Sequence, residues 1–386
     1  ENRNLEQSQP RIAAGTDSAG AGGFAVVWAD NGDLDGSGWG TAISFFDKAG
    51  APTPNTTGGR VELMYNNPVT LLGHDWPSVG WGSGGYLATF VDGRDTDAYL
   101  MPFSPTRARL LAAPQRVSAT AGDTVEAQAV IGSHPSVPGY VATWSVGPPG
   151  SRKIWLRTFS GTWPSASADA QVQPAGPEDE FLPAAAMSSD GSFAVAWVQG
   201  TADPSIRMAR FTAAGMMSGA IEVVAGASDG SSQTEPAMAY DATARLLVTW
   251  ADGGTGTVMA RLYDASGTAS APFTVSPGGL FPGAIESGHL TTSVAASGGT
   301  FLVVWTTDTD TNVAVSGRLL SGENTFERNR FPEGGDGAFR ISPSSRTTRG
   351  RAAITPGGRA MVVWQDRDPL GADLAGGARG RVFQVP

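Results

Sequence analysis

The chain has 386 residues, a net charge of −10 and no cysteine. The acidic balance excludes the basic face that a phosphate backbone requires, and the missing thiols exclude disulfide frameworks and thiolate metal sites. No apolar run approaches the roughly 18 residues of a membrane span; the longest are short stretches such as Phe301 to Trp305.

In chain order, the same pattern returns seven times. The cores are Gly23-Phe-Ala-Val-Val-Trp28, Gly85-Tyr-Leu-Ala-Thr-Phe90, Gly139-Tyr-Val-Ala-Thr-Trp144 and Ser192-Phe-Ala-Val-Ala-Trp197. Arg245-Leu-Leu-Val-Thr-Trp250, Thr300-Phe-Leu-Val-Val-Trp305 and Arg359-Ala-Met-Val-Val-Trp364 complete the set. Their aromatic anchors are 62, 54, 53, 53, 55 and 59 residues apart. That period holds four short strands and their turns and is too long for most helical solenoid units. Glycine (52 residues) and proline (26) supply the turns.

Each repeat carries the same punctuation. A small-residue strand comes first, often opened by proline, as in Pro10-Arg-Ile-Ala-Ala, Pro77-Ser-Val-Gly-Trp, Pro183-Ala-Ala-Ala-Met and Pro236-Ala-Met-Ala-Tyr. Small side chains suit an innermost strand, where blades crowd an axis. The Trp-ending run is the second strand, apolar on both faces because neighbouring blades cover it. A third strand ends in a turn (Met259 to Gly267, Ile43 to Gly50), and a short fourth follows (Phe273 to Ser276, Ile221 to Val224, Phe339 to Ser342). The expected fold is all-β: one seven-bladed β-propeller over residues 1–386, with four-stranded antiparallel blades. The last repeat ends after its third strand, so Asn4 to Gln7 is expected to supply its outer strand and close the ring.

Trp364-Gln-Asp-Arg367 and Phe90-Val-Asp-Gly-Arg94, with Trp28-Ala-Asp30 and Trp250-Ala-Asp252, resemble the Trp-x-Asp-x-Arg repeats of bacterial secreted propellers, including the TolB-like group. The Asp-Ile-Tyr element common in such repeats is absent. The resemblance implies the fold and an exterior location (periplasm, outer surface or medium), and no particular ligand. The first residue, Glu1 rather than Met, predicts that a leader has been removed.

Candidate site residues fall on the loops entering the first strands and on those joining second to third strands, which share one face of a propeller. The second set is acidic in repeats six, seven, one and two. It holds Asp308, Asp310 and Asn312; Asp366, Asp368 and Asp373; Asp30, Asp33 and Asp35; Asp92, Asp95 and Asp97. Turn formation also explains these residues. Asn31-Gly-Asp33-Leu-Asp35-Gly36-Ser37 matches the first half of a calcium loop and resembles those of integrin-like propellers. Asn31, Asp33 and Asp35 are the expected Ca²⁺ ligands, although the twelfth position is Ala42, not a carboxylate.

The first-strand entrances carry His74, Glu126, Glu180, Glu235, His289 and Arg349. Such a rim is either a solvated polar surface or a set for proton abstraction, as in propeller-type polysaccharide lyases. Trp28, Trp144, Trp197, Trp250, Trp305 and Trp364 are expected in the inter-blade core. Trp39, Trp76, Trp81, Trp155 and Trp163 fall outside the repeat, as packing residues or sugar-stacking platforms. His134 and Ser188-Ser-Asp190-Gly191 are turns. The expected function is a non-catalytic, exported binding module, monomeric, meeting a protein or glycan with calcium as its ion. The alternative is a polysaccharide lyase or glycoside hydrolase working at the axial rim.

Overall fold

The computed structural model describes residues 7–16, 22–31, 39–55, 58–65, 74–92, 95–119, 126–163, 165–173, 176–226, 232–276, 291–309, 312–320, 338–343, 347–366 and 377–385. Each repeat forms its own antiparallel sheet, seven in all. From blade one to blade seven the first strands are Gln7–Thr16, His74–Gly82, Glu126–Ser133, Glu180–Met187, Gln233–Tyr240, Thr292–Ser297 and Thr347–Ile354. Second, third and fourth strands pair outward in sequence order. Each first strand packs against the first strands of both neighbours, and that of blade seven meets that of blade one. The result is the expected ring of seven blades. No helix occurs among the described residues, so none is long and apolar enough to cross a membrane.

The alternation of the second strands explains the ring. Phe301, Val303 and Trp305 face blade five, whereas Leu302 and Val304 face blade seven. The buried apolar side chains therefore divide into seven clusters, one at each blade interface. The repeat aromatic always faces the preceding blade: Trp197 packs with Val141 and Ile154 of blade three, and Trp28 with Ala353 and Val363 of blade seven. At about 25 cal/mol per Å² and 150–250 Å² per ring, each such burial stabilises by roughly 4–6 kcal/mol before ordering costs. On the outer edge, arginines of third strands clamp the preceding blade. Arg157, Arg261 and Arg381 donate to the carbonyls of Val117, Val223 and Ile341 at 3.0, 3.2 and 3.3 Å.

Two blades depart from the pattern. Blade one places Val61–Tyr65 against its third strand and adds a short pairing by Pro52–Thr53. Blades two to five have only a single bridge at that place, such as Phe103 with Arg109. Blade seven has three strands among the described residues. The expected closing strand falls mostly outside the described residues, at positions 4–6. Gln7 itself lies in the first strand of blade one, opposite Asp30. Its side chain reaches blade seven, where Oε1 accepts the Ala378 amide at 3.4 Å.

Candidate functional site: an axial cavity ringed by strained bulges

In six of the seven first strands the ladder contains one extra residue, always opposite the repeat aromatic. Gln9-Pro10 lies opposite Trp28, Trp76-Pro77 opposite Phe90, and Gln128-Ala129 opposite Trp144. Leu182-Pro183 lies opposite Trp197, Glu235-Pro236 opposite Trp250, and Arg349-Gly350 opposite Trp364. The first residue of each pair has a φ between 51° and 59°. That left-handed conformation is uncommon for side chains such as Trp, Leu or Glu and costs on the order of 1 kcal/mol each. The prolines thus do not open these strands; they occupy the second bulge position, where no ladder N–H is required. Neighbouring bulges are tied together. Gln9 Oε1 accepts the Trp76 amide at 2.8 Å, and Gln128 Oε1 accepts that of Leu182 at 2.6 Å. Blade six differs, with Thr292 alone opposite Trp305.

The bulges surround an axial cavity of about 200 Å³ lined by all seven first strands. One wall is apolar, with Trp76, Val79, Ile131 and Leu182 of blades two to four. The other is charged, with Arg11 of blade one, Glu235 of blade five and Arg351 of blade seven. Arg11 and Arg351 occupy the first ladder position after the bulge. Blades two to six place Ser78, Val130, Ala184, Ala237 and Ser293 there. The two serines at this position latch blades together: Ser78 Oγ accepts the Ile131 amide and Ser293 Oγ accepts the Ala352 amide. The arginines replace that latch with charge.

Hydrogen bonds hold this wall in place. Arg351 Nη1 donates to the Thr292 carbonyl at 2.9 Å, and Thr292 Oγ1 donates to the Glu235 carbonyl at 2.7 Å. Burial pushes the Glu235 carboxyl above its ordinary range against the opposing pull of Arg351, Arg11 and Arg349. Burial, and then the neighbouring Arg351, lower Arg11. Burial also brings Arg351 down to about 10, with Glu235 opposing and Arg349 adding to the fall. Arg351 remains charged at neutral pH. The lining is amphipathic: Trp76, which also packs against the core between blades two and three, and aliphatic residues lie on one side, and two arginines and a glutamate on the other.

The sequence-predicted residues divide accordingly. Glu235 and Arg349 are bulge residues. His74, Glu126 and Glu180 are instead first residues of their strands, opposite Asp92, Val146 and Gln199. These are two different positions of the repeat. Glu180 is fully buried and does not line the cavity. It accepts the Ile154 amide at 3.1 Å and Lys153 Nζ at 3.3 Å, linking blades three and four. The side chains of His74 and Glu126 lie outside the described residues, as does His289.

In the acidic sector, Asp92 is buried, and Asp95 accepts the Tyr99 hydroxyl at 2.6 Å and faces Arg116 at 3.6 Å. Asp366 lies 3.1 Å from Arg379. The carboxylates of Asp95 and Asp366 are engaged within their own blades. Asp33, Asp35, Asp310 and Asp368 lie outside the described residues, as do the side chains of Asn31 and Asp308. No three metal-ligating side chains converge among the described residues. Sequence reasoning passed over Arg11 and Arg351. Their signal was a charged residue inside a strand otherwise built of small ones.

No protein-family model and no curated protein matches the chain. Solved structures do. The BP39L lectin from Burkholderia pseudomallei superposes with a TM-score of 0.60 at 13% identity, over 99% of this chain and 97% of that one. An ulvan lyase of polysaccharide lyase family PL25 gives 0.56 at 7% identity, over 99% and 94%. A protein of unknown function from Dyadobacter fermentans gives 0.54 at 12%, over 100% and 96%. At such identities the likeness establishes the propeller fold and nothing finer.

Proposed function

We propose that the chain is a non-catalytic binding module that receives a sugar residue of a glycan in its axial cavity. The observation that carries this reading is the pairing of Trp76 on one wall with Arg11, Arg351 and Glu235 on the other. A sugar ring has an apolar C–H face suited to an indole and hydroxyls suited to charged hydrogen-bonding groups. A volume of about 200 Å³ suits one such ring and is too small for a protein surface. The likeness to a lectin and to a polysaccharide lyase is consistent with a carbohydrate ligand. Export to the cell exterior, a monomeric state and a Ca²⁺ ion held by Asn31, Asp33 and Asp35 belong to the same proposal.

A glycan array probed with and without calcium tests both parts. Trp76→Ala is expected to weaken binding of the best array ligand at least about fivefold, equivalent to ~1 kcal/mol. Unchanged affinity would remove the axial cavity from the reading. A lyase is the second reading, favoured by one observation: a carboxyl with raised proton affinity, Glu235, stands beside arginines able to neutralise a substrate anion. Digestion of acidic polysaccharides followed by ultraviolet absorbance of unsaturated products distinguishes it, with Glu235→Gln as the inactive control.

A further inference from the structure

The arginines at the axis allow the ligand of the proposed glycan site to be narrowed. We propose that the axial cavity selects a sugar bearing a single negative charge, carboxylate or sulfate ester, with Arg11 and Arg351 as its specificity-determining residues. This inference rests on the glycan reading and deepens it.

Three observations carry it. First, Arg11 and Arg351 line the same small cavity from the first strands of adjacent blades, one and seven. They stand at a repeat position that is otherwise Ser, Val or Ala. Two guanidiniums near each other and partly removed from water repel, and an anion between them relieves that repulsion. Second, neither forms an ion pair with Glu235. The only hydrogen bonds of the two guanidiniums among the described residues go to backbone carbonyls, Pro10 for Arg11, and Thr292 and Gly350 for Arg351. Five N–H donors per guanidinium leave others for a ligand, in the planar fork that matches carboxylate and sulfate oxygens. Third, Glu235 limits the charge that can enter. Its carboxyl, which lines the same wall, hydrogen-bonds sugar hydroxyls in either protonation state. In its ionised form it repels a second negative charge, so a singly charged uronate or sulfate is favoured over a doubly charged phosphate ester.

The test is calorimetric titration of the full chain with methyl glucuronide, glucose 6-sulfate, glucose 6-phosphate and methyl glucoside at one ionic strength. The expected result is that the glucuronide or the 6-sulfate binds at least tenfold more tightly than the neutral glucoside. Which of the two leads identifies the source of the charge. Arg351→Gln and Arg11→Gln, each checked for a parent-like melting curve, should reduce that preference to within about threefold without abolishing residual neutral-sugar binding. Equal affinity for charged and neutral sugars overturns this inference and leaves the glycan reading intact. No binding of any of the four, together with an empty glycan array, overturns both. The ligand comparison on the unmutated chain keeps the inference falsifiable even where an arginine variant fails to fold.

Discussion

Glu235 occupies an unfavourable environment in two respects: its backbone is left-handed and its carboxyl is partly stripped of water. Because burial raises its folded-state pKa above the unfolded value, the folded state binds the proton more tightly. Its contribution to stability is therefore full below the ordinary glutamate value, about pH 4, and is lost as pH rises through the raised value. Glu235→Gln removes this linkage. Melting temperatures measured from about pH 4 upward should fall less steeply in the variant than in the parent. Identical slopes would show that the carboxyl titrates as an exposed one. Residues of this kind were only half visible in the sequence. Glu235 and Arg349 were identifiable as polar residues near a strand entrance, but Glu180 looked the same and serves a different purpose. The ladder register separates them by two residues, and register is a property of paired strands, not of one strand's composition.

The first strands illustrate what crowding near an axis demands. A Cβ added at Gly80 would lie 2.4 Å from Ile131 Cγ2 and 2.7 Å from Ser133 Oγ of the next blade. Gly80→Ala should accordingly destabilise by about 1–3 kcal/mol, measured by denaturant titration; a neutral result would mean the blades can move apart at little cost. Smallness of these strands was legible from sequence, as were the second strands, because period-two burial between flanking blades writes itself as an unbroken apolar run ending in Trp. The bulges were not legible as such. Their prolines were visible at Pro10, Pro77, Pro183 and Pro236, yet a proline can open a strand or occupy a bulge, and only the pairing with Trp28, Phe90, Trp197 and Trp250 decides between them.

Across the whole molecule, no disulfide links the two ends of the ring, since the chain has no cysteine. Closure between blades seven and one relies on Ile12, Phe24 and Trp28 packing with Ala353, Met361 and Val363. Removing residues 1–9 would delete the pairing of Gln7 and Ser8 with blade one's second strand and the Gln9 contact with Trp76. The melting temperature should drop by roughly 5 °C or more, and an unchanged melting curve would show that the N-terminal segment takes no part in closure. Ring closure also explains why Arg11 and Arg351 escaped notice as a pair: they come from opposite ends of the chain and meet only once seven blades are in place. Blade six completes the asymmetry, its first strand running past Trp305 without a bulge between the charged contributions of blades five and seven. Seven similar units thus converge on one non-repeating centre. A pocket on a rotation axis can be filled only once, however many repeats surround it. A ligand taken by that cavity as proposed therefore binds once per chain, and the repeats add no avidity at the axis. Multivalent attachment through the axial cavity would need several copies of the chain held side by side.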